Sequence, residues 1–143
     1  MNIDSFSYHL GAADCFCEMV RAGVKRIALS HPCNSREERD SFLPEFERLA
    51  KQYGVHFYVE NEPFLTDLFP VSMNAGKFNV IFYQEEDALR EYLDLKQEKD
   101  AAVADGTYRS LRRDIAYRYG KLLSYTDDGI ARLLSANTEK EPD

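Results

Sequence analysis

Residues 22–35, Ala-Gly-Val-Lys-Arg-Ile-Ala-Leu-Ser-His-Pro-Cys-Asn-Ser, carry the punctuation of an α/β domain. Gly23 suits the left-handed stop of a helix. Val24 to Leu29 reads as a short strand. Ser30-His31-Pro32-Cys33-Asn34 breaks it, and a new helix opens at Ser35. In α/β domains, the loop leaving the carboxyl end of a strand is where ligands bind.

The flanking segments extend this grammar. Phe6, Leu10, Ala13, Cys17 and Val20 recur at helical spacing, which predicts a helix from about Ser5 or Ser7 to Ala22. His9 and Asp14 fall on its flank and outer face and read as surface groups. Ser35-Arg36-Glu37-Glu38 fits a capping box, in which Ser35 takes the amide of Glu38 and Glu38 reaches back. The helix then continues to Tyr53-Gly54. Pro44 predicts a kink or a fresh helix start, because it lacks an amide hydrogen and crowds the preceding turn. Val55 to Glu60 alternates with period two and reads as a second strand, closed by Asn61-Glu62-Pro63. A short helix is expected over Phe64 to Phe69, then a loop from Pro70 to Lys77. Phe78 to Tyr83 is apolar on both faces, as in a strand covered on both sides.

From Glu85 the pattern is helical. Helices are predicted over Glu86 to Val103 and Tyr108 to Leu123, and a last one is capped by Thr126. Asn137 to Asp143 reads as a frayed tail. Strands alternating with helices imply a small, mainly parallel three-stranded sheet flanked by helices. The expected layout is one domain: an α/β core over 1–84, a C-terminal segment of two to three helices over 85–136, and the tail over 137–143.

Composition excludes several classes. Net charge is −7, which argues against nucleic acid and anionic membranes as partners. No apolar run approaches the ~18 residues of a transmembrane helix, and Met-Asn-Ile-Asp-Ser-Phe has no secretory signal pattern. Three cysteines, an odd number, read as reduced thiols of a cytoplasmic protein.

Chemistry-bearing residues concentrate at the carboxyl ends of the first two strands. The first supplies Ser30, His31, Cys33, Asn34 and Ser35. The second supplies Glu60, Asn61 and Glu62, with Thr66 and Asp67 close behind. If the strands lie side by side, these loops face each other and can hold a small anionic ligand. A metal version of the site uses His31 and Glu60, joined by Glu62 and Asp67, since imidazole and carboxylate together suit a divalent ion. No other cofactor is implied. Cys33 precedes a helix start and has His31 two residues away, so it is the thiol placed as a candidate nucleophile. Cys15 and Cys17 are ~200° apart on a helix and cannot share a metal.

Two phrases, Gly-Val-Lys-Arg-Ile-Ala-Leu-Ser-His-Pro and Tyr-Gly-Val-His-Phe-Tyr-Val-Glu-Asn-Glu-Pro, are similar to strand endings in xylose-isomerase-like barrels. The resemblance implies a divalent metal on Glu60. It covers only those two phrases, and a barrel needs eight strands where this chain offers three.

The helical half suggests a different role. Arg109, Arg112, Arg113, Arg118 and Lys121 make one helix basic, and its predecessor is rich in Glu and Asp. Antiparallel neighbours or two subunits can pair such faces. A protein-interaction or regulatory module that dimerises or docks a partner through these helices, with Tyr92, Leu95, Tyr117 or Tyr119 at the contact, is therefore the competing expectation to a ligand-binding protein.

Overall fold

The computed structural model describes residues 4–142. Helix α1 spans Ser5–Arg21, and strand β1 spans Ile27–Leu29. Helices α2 (Arg36–Ser41) and α3 (Leu43–Tyr53) follow, then β2 (His56–Glu60). A single short turn of helix, α4 (Val71–Asn74), precedes β3 (Asn79–Tyr83). The chain closes with α5 (Glu86–Asp105), α6 (Tyr108–Leu122) and α7 (Asp127–Ala136).

The boundaries have local causes. Asp4 caps α1 by accepting from the amides of Phe6 and Ser7. Gly23 and Gly54 adopt φ of 79° and 71°, the left-handed geometry that turns the chain out of α1 and α3 at little steric cost. Pro44 does not kink a long helix. The chain stops at Ser41 and restarts at Leu43, which puts Pro44 in a first turn where its missing amide hydrogen is not needed. Thr126 accepts from Gly129 N and opens α7. The helix expected over Phe64 to Phe69 is absent. The helical turn falls instead at Val71–Asn74, directly after Pro70.

The sheet corrects the expected topology. Its order is β1-β3-β2, and both pairings are antiparallel rather than mainly parallel. Ile27 and His56 both lie opposite Tyr83, and Glu60 lies opposite Asn79. The first crossover, through α2 and α3, does return the chain so that β2 runs parallel to β1. It leaves a gap one strand wide between them. The connection over 61–78 holds only the four residues of α4 as helix, so it does not carry the chain back to the other end of the sheet. β3 starts where β2 ended and fills the gap in the opposite direction.

Alternate residues of the sheet feed two cores. Ile27, Ile81, Tyr83 and Tyr58 face α5, α6 and α7, where Tyr92, Ile115, Tyr119 and Ile130 are buried. Ala28, Val80, Phe82 and Phe57 face α1 and α3, against Ala13, Cys17, Phe46 and Leu49. Burying each large apolar side chain contributes about 1.5–3 kcal/mol, so both faces help to fix the register. Tyr92, Leu95 and Tyr119 are 0 %, 3 % and 1 % exposed, so these side chains form the core rather than a partner surface. The complementary charges of α5 and α6 meet within the chain, where the Arg118 guanidinium grips both oxygens of Glu98 at 2.9 and 2.5 Å.

The segment expected to fray is fastened as far as Glu141, and Asp143 lies outside the described residues. Asn137 is buried and donates to the carbonyls of Asp67 and Phe69. Val71 N donates to Glu139 O, and Glu141 accepts from Lys99 and Arg112. Among the described residues, no helix is long and apolar enough to cross a membrane.

Candidate functional site

The carboxyl ends of β1 and β2 do emerge on one edge of the sheet, because the two strands are mutually parallel. They are not adjacent, however. With β3 between them, Ser30 and Glu60 stand about 10 Å apart, two strand spacings. Their side chains enter different surroundings.

Most of the residues at this edge serve the fold. Glu60 is 2 % exposed and both of its carboxylate oxygens accept hydrogen bonds. Oε2 accepts from Tyr92 Oη at 2.5 Å and Lys96 Nζ at 2.8 Å, and Oε1 accepts from Glu62 N. Glu60, the residue on which the barrel resemblance would place a metal, here holds α5 against the sheet through Tyr92 and Lys96. Asp67 is gripped by Arg112 through both oxygens, at 2.8 and 2.9 Å. Thr66 Oγ1 accepts from Leu68 N. The Glu62 carbonyl accepts from Lys96, and the Asn61 side chain accepts from Arg39. Asn34 Oδ1 accepts from Lys77, and Ser35 takes the Glu38 amide as the capping box requires.

Arg39 is the residue sequence reasoning missed. It is 1 % exposed, the largest side chain buried so completely. Its guanidinium donates to the carbonyls of Glu60 and Asn79, to Asn61 Oδ1 and to Asp40 Oδ1. One cation thus closes the end of the β2–β3 ladder.

Ser30, His31 and Cys33 remain. Ser30 and His31 line a cleft of about 270 Å³ that wraps the free edge of β1, between α1 on one side of the sheet and the α6–α7 turn on the other. Phe16, Leu29, Phe69, Met73 and Tyr125 make its apolar walls. Lys25, Asn74 and Asn79 bring polar groups to it. Lys25 donates to the Leu123 carbonyl at 2.7 Å and lies 4.9 Å over the Tyr125 ring. Burial holds its ammonium below the usual lysine range. In a chain of net charge −7, the lining carries this cation and no carboxylate. Asn79 is 6 % exposed, and among the described residues nothing hydrogen-bonds its side-chain amide. The Ser30 hydroxyl accepts from Val80 N and keeps its own proton to donate.

Behind His31 lies a second group. The His9 ring is 4.8 Å from that of His31 and stacks at 4.5 Å on Phe42. His9 Nδ1 is 4.0 Å from Cys33 Sγ, and Nε2 is 3.9 Å from Glu38 Oε1. The imidazole beside Cys33 is therefore that of His9, while the thiol also donates to the His31 carbonyl at 3.8 Å. His9 is buried, contrary to its expected surface position. The signal was present: His9, Ala13, Cys17 and Val20 are spaced by four, four and three, and these are the buried residues of α1. A buried histidine on that stripe is easily passed over in favour of Phe6, which is 44 % exposed.

Cys33, His9 and Glu38 stand in the order thiol, imidazole, carboxylate, but the sulfur is not set up as a nucleophile. Cys33 is 2 % exposed, and burial pushes its thiol up to about 11, so it is protonated near neutral pH. Burial, with His31 nearby, keeps His9 below its ordinary value and neutral. Neutral imidazole, buried thiol and a carboxylate form a set of metal-type donors, all within 4.8 Å of one another. Comparison with protein-family models, curated proteins and solved structures finds no match.

Proposed function

We propose that this chain is a small-molecule-binding domain whose ligand is a small carboxylate with an apolar body, held in the cleft at the β1 edge. One observation carries the reading: Asn79, 6 % exposed, lines the cleft, and among the described residues nothing hydrogen-bonds its side-chain amide. A ligand that bonds to this amide takes the place of solvent at a mostly buried residue, where a hydrogen bond is stronger than in open water. Lys25 sets the sign of the charge, the Ser30 hydroxyl and His31 ring supply further polar contacts, and the aromatic walls take the apolar body. The volume lies at the lower end for ligand pockets, which restricts the ligand to a single ring or a short chain.

Titration with benzoate, phenylacetate and hexanoate, each beside its neutral carboxamide, tests the reading by chemical-shift perturbation or thermal shift. A carboxylate should bind in preference to its amide, and Lys25→Gln and Asn79→Ala should each weaken binding at least tenfold. Glu86→Gln, on the far end of the sheet, should leave it unchanged. No binding of any of the three at millimolar concentration, or equal binding of acid and amide, overturns it.

A further inference from the structure

The geometry points to a zinc site formed by His9, Cys33 and Glu38, distinct from the cleft and independent of what the cleft holds. The three donors come from three segments, α1, the β1–α2 loop and α2, and lie mutually within 4.8 Å. His9 and Cys33 are 6 % and 2 % exposed. The contacts among these groups are too long for good hydrogen bonds: 4.0 Å from imidazole to sulfur and 3.9 Å from imidazole to carboxylate. The two His9 nitrogens thus face the Cys33 sulfur and the Glu38 carboxylate, one each, at the long end of contact distance.

The spacing suits an ion. In a tetrahedral zinc site, with Zn–N near 2.0–2.1 Å and Zn–S near 2.3 Å, neighbouring donor atoms stand about 3.4–3.6 Å apart. One imidazole nitrogen, the sulfur and one carboxylate oxygen lie within 4.8 Å of one another, so the longest side of the triangle closes by up to about 1.3 Å to meet that geometry, a movement open to the half-exposed Glu38 side chain. Thiolate with imidazole selects zinc over magnesium or calcium. Three protein ligands leave a fourth position for water, with the His31 ring beside it. On binding, the Cys33 S–H bond breaks, the Zn–S bond forms and the proton passes to solvent.

The supporting contacts are those of a ligand set held in place. Glu38 Oε2 accepts from Asn34 N at 3.1 Å, which leaves Oε1 facing His9. The Cys33 backbone exchanges two hydrogen bonds with Phe78, at 2.8 and 2.9 Å. Phe42 and His31 hold the His9 ring on its face and its edge. Such outer contacts orient ligands in established metal sites.

The test uses the full chain, stripped with chelator and titrated with cobalt(II), then with zinc against a chromophoric competitor. One cobalt per chain should bind, with a thiolate-to-cobalt charge-transfer band in the near ultraviolet and strong visible bands of tetrahedral type. Zinc should displace it. Cys33→Ser should abolish the charge-transfer band, and Cys15→Ser, at an exposed thiol, should retain it. Glu38→Gln keeps the acceptor for Asn34 N and should fold as the parent does, and it should weaken zinc binding at least tenfold. The proposal fails if the parent chain gives no charge-transfer band. It fails equally if the band survives Cys33→Ser, or if Glu38→Gln, folded by circular dichroism, binds zinc as the parent does.

Discussion

The guanidinium of Arg39 donates to the main-chain carbonyl of Glu60 at 2.8 Å, while the Glu60 carboxylate turns away to Tyr92 and Lys96 on α5. Arg39 comes from α2, so one residue at the end of β2 ties together helices on both faces of the sheet. Arg39→Met leaves the carbonyls of Glu60 and Asn79 and the Asn61 amide oxygen without their donor. The expected cost is about 3 kcal/mol, or roughly 10 °C in melting temperature. Arg39→Lys should recover little, since one ammonium cannot span the acceptors that the planar fork reaches. Urea unfolding of the two variants measures both effects.

Arg39 also shows where sequence reading stops. The longer helices were legible from their periodicity, helped by caps at Ser35 and Thr126, whereas the short helix expected over Phe64 to Phe69 had neither a clear period nor a cap and is absent. The polar cluster around Glu60 was legible as a list of residues but not as an arrangement. Its partners Tyr92 and Lys96 lie more than thirty positions downstream, and sequence spacing does not report such a contact. Strand direction failed for a related reason. The pattern Phe78 to Tyr83 is equally apolar in a parallel or an antiparallel sheet, and only the lack of a full helix between β2 and β3 separates the two. His9 was lost because a histidine at a core position looks the same in sequence as one at the surface.

Tyr108 offers a stabilising substitution. Its hydroxyl is buried and has no hydrogen-bond partner among the described residues, while its ring lies 5.0 Å from the Arg112 guanidinium and 5.3 Å from the Lys99 ammonium. Tyr108→Phe keeps the ring contacts and removes the unpaired group, so stability at neutral pH should rise by about 1 kcal/mol.

The same tyrosine contributes to an alkaline limit. Burial pushes Tyr108 up to about 12 and moves Tyr92 and Tyr119 in the same direction. In the unfolded chain these phenols ionise near 10. Above that pH the unfolded state releases protons that the native state retains, so this stability is fully present below pH 10 and is lost as pH rises past it. Urea midpoints between pH 8 and 11.5 should fall steeply above 10, and less so for Tyr108→Phe. A flat profile would remove the argument.

Gly120 marks the closest approach of α6 and α7. A Cβ placed there would lie 2.6 and 2.7 Å from the side-chain carbons of Ile130. Gly120→Ala should therefore cost about 1–3 kcal/mol by overpacking, against the gain in helix propensity expected at an open position. Adding Ile130→Val removes one of the clashing carbons. The double variant should lie closer to the Ile130→Val single than additivity predicts, which a double-mutant cycle measures directly.

Asn137 links the end of the chain to the cleft. Its amide donates to the carbonyls of Asp67 and Phe69 at 2.9 and 3.2 Å, and its oxygen accepts from Glu139 N. Phe69 and Met73 are cleft walls on the connection that this contact braces. Asn137→Ala leaves two buried carbonyls short of a donor, at an expected cost of about 2 kcal/mol. The loss should be local. Amide exchange should quicken at Val71, whose N–H bonds to Glu139 O, while the β2–β3 ladder keeps its protection. Carboxylate binding in the cleft should weaken along with it, because the wall formed by Phe69 and Met73 loses its brace. If exchange at Val71 quickens and binding stays unchanged, those two side chains do not contact the ligand.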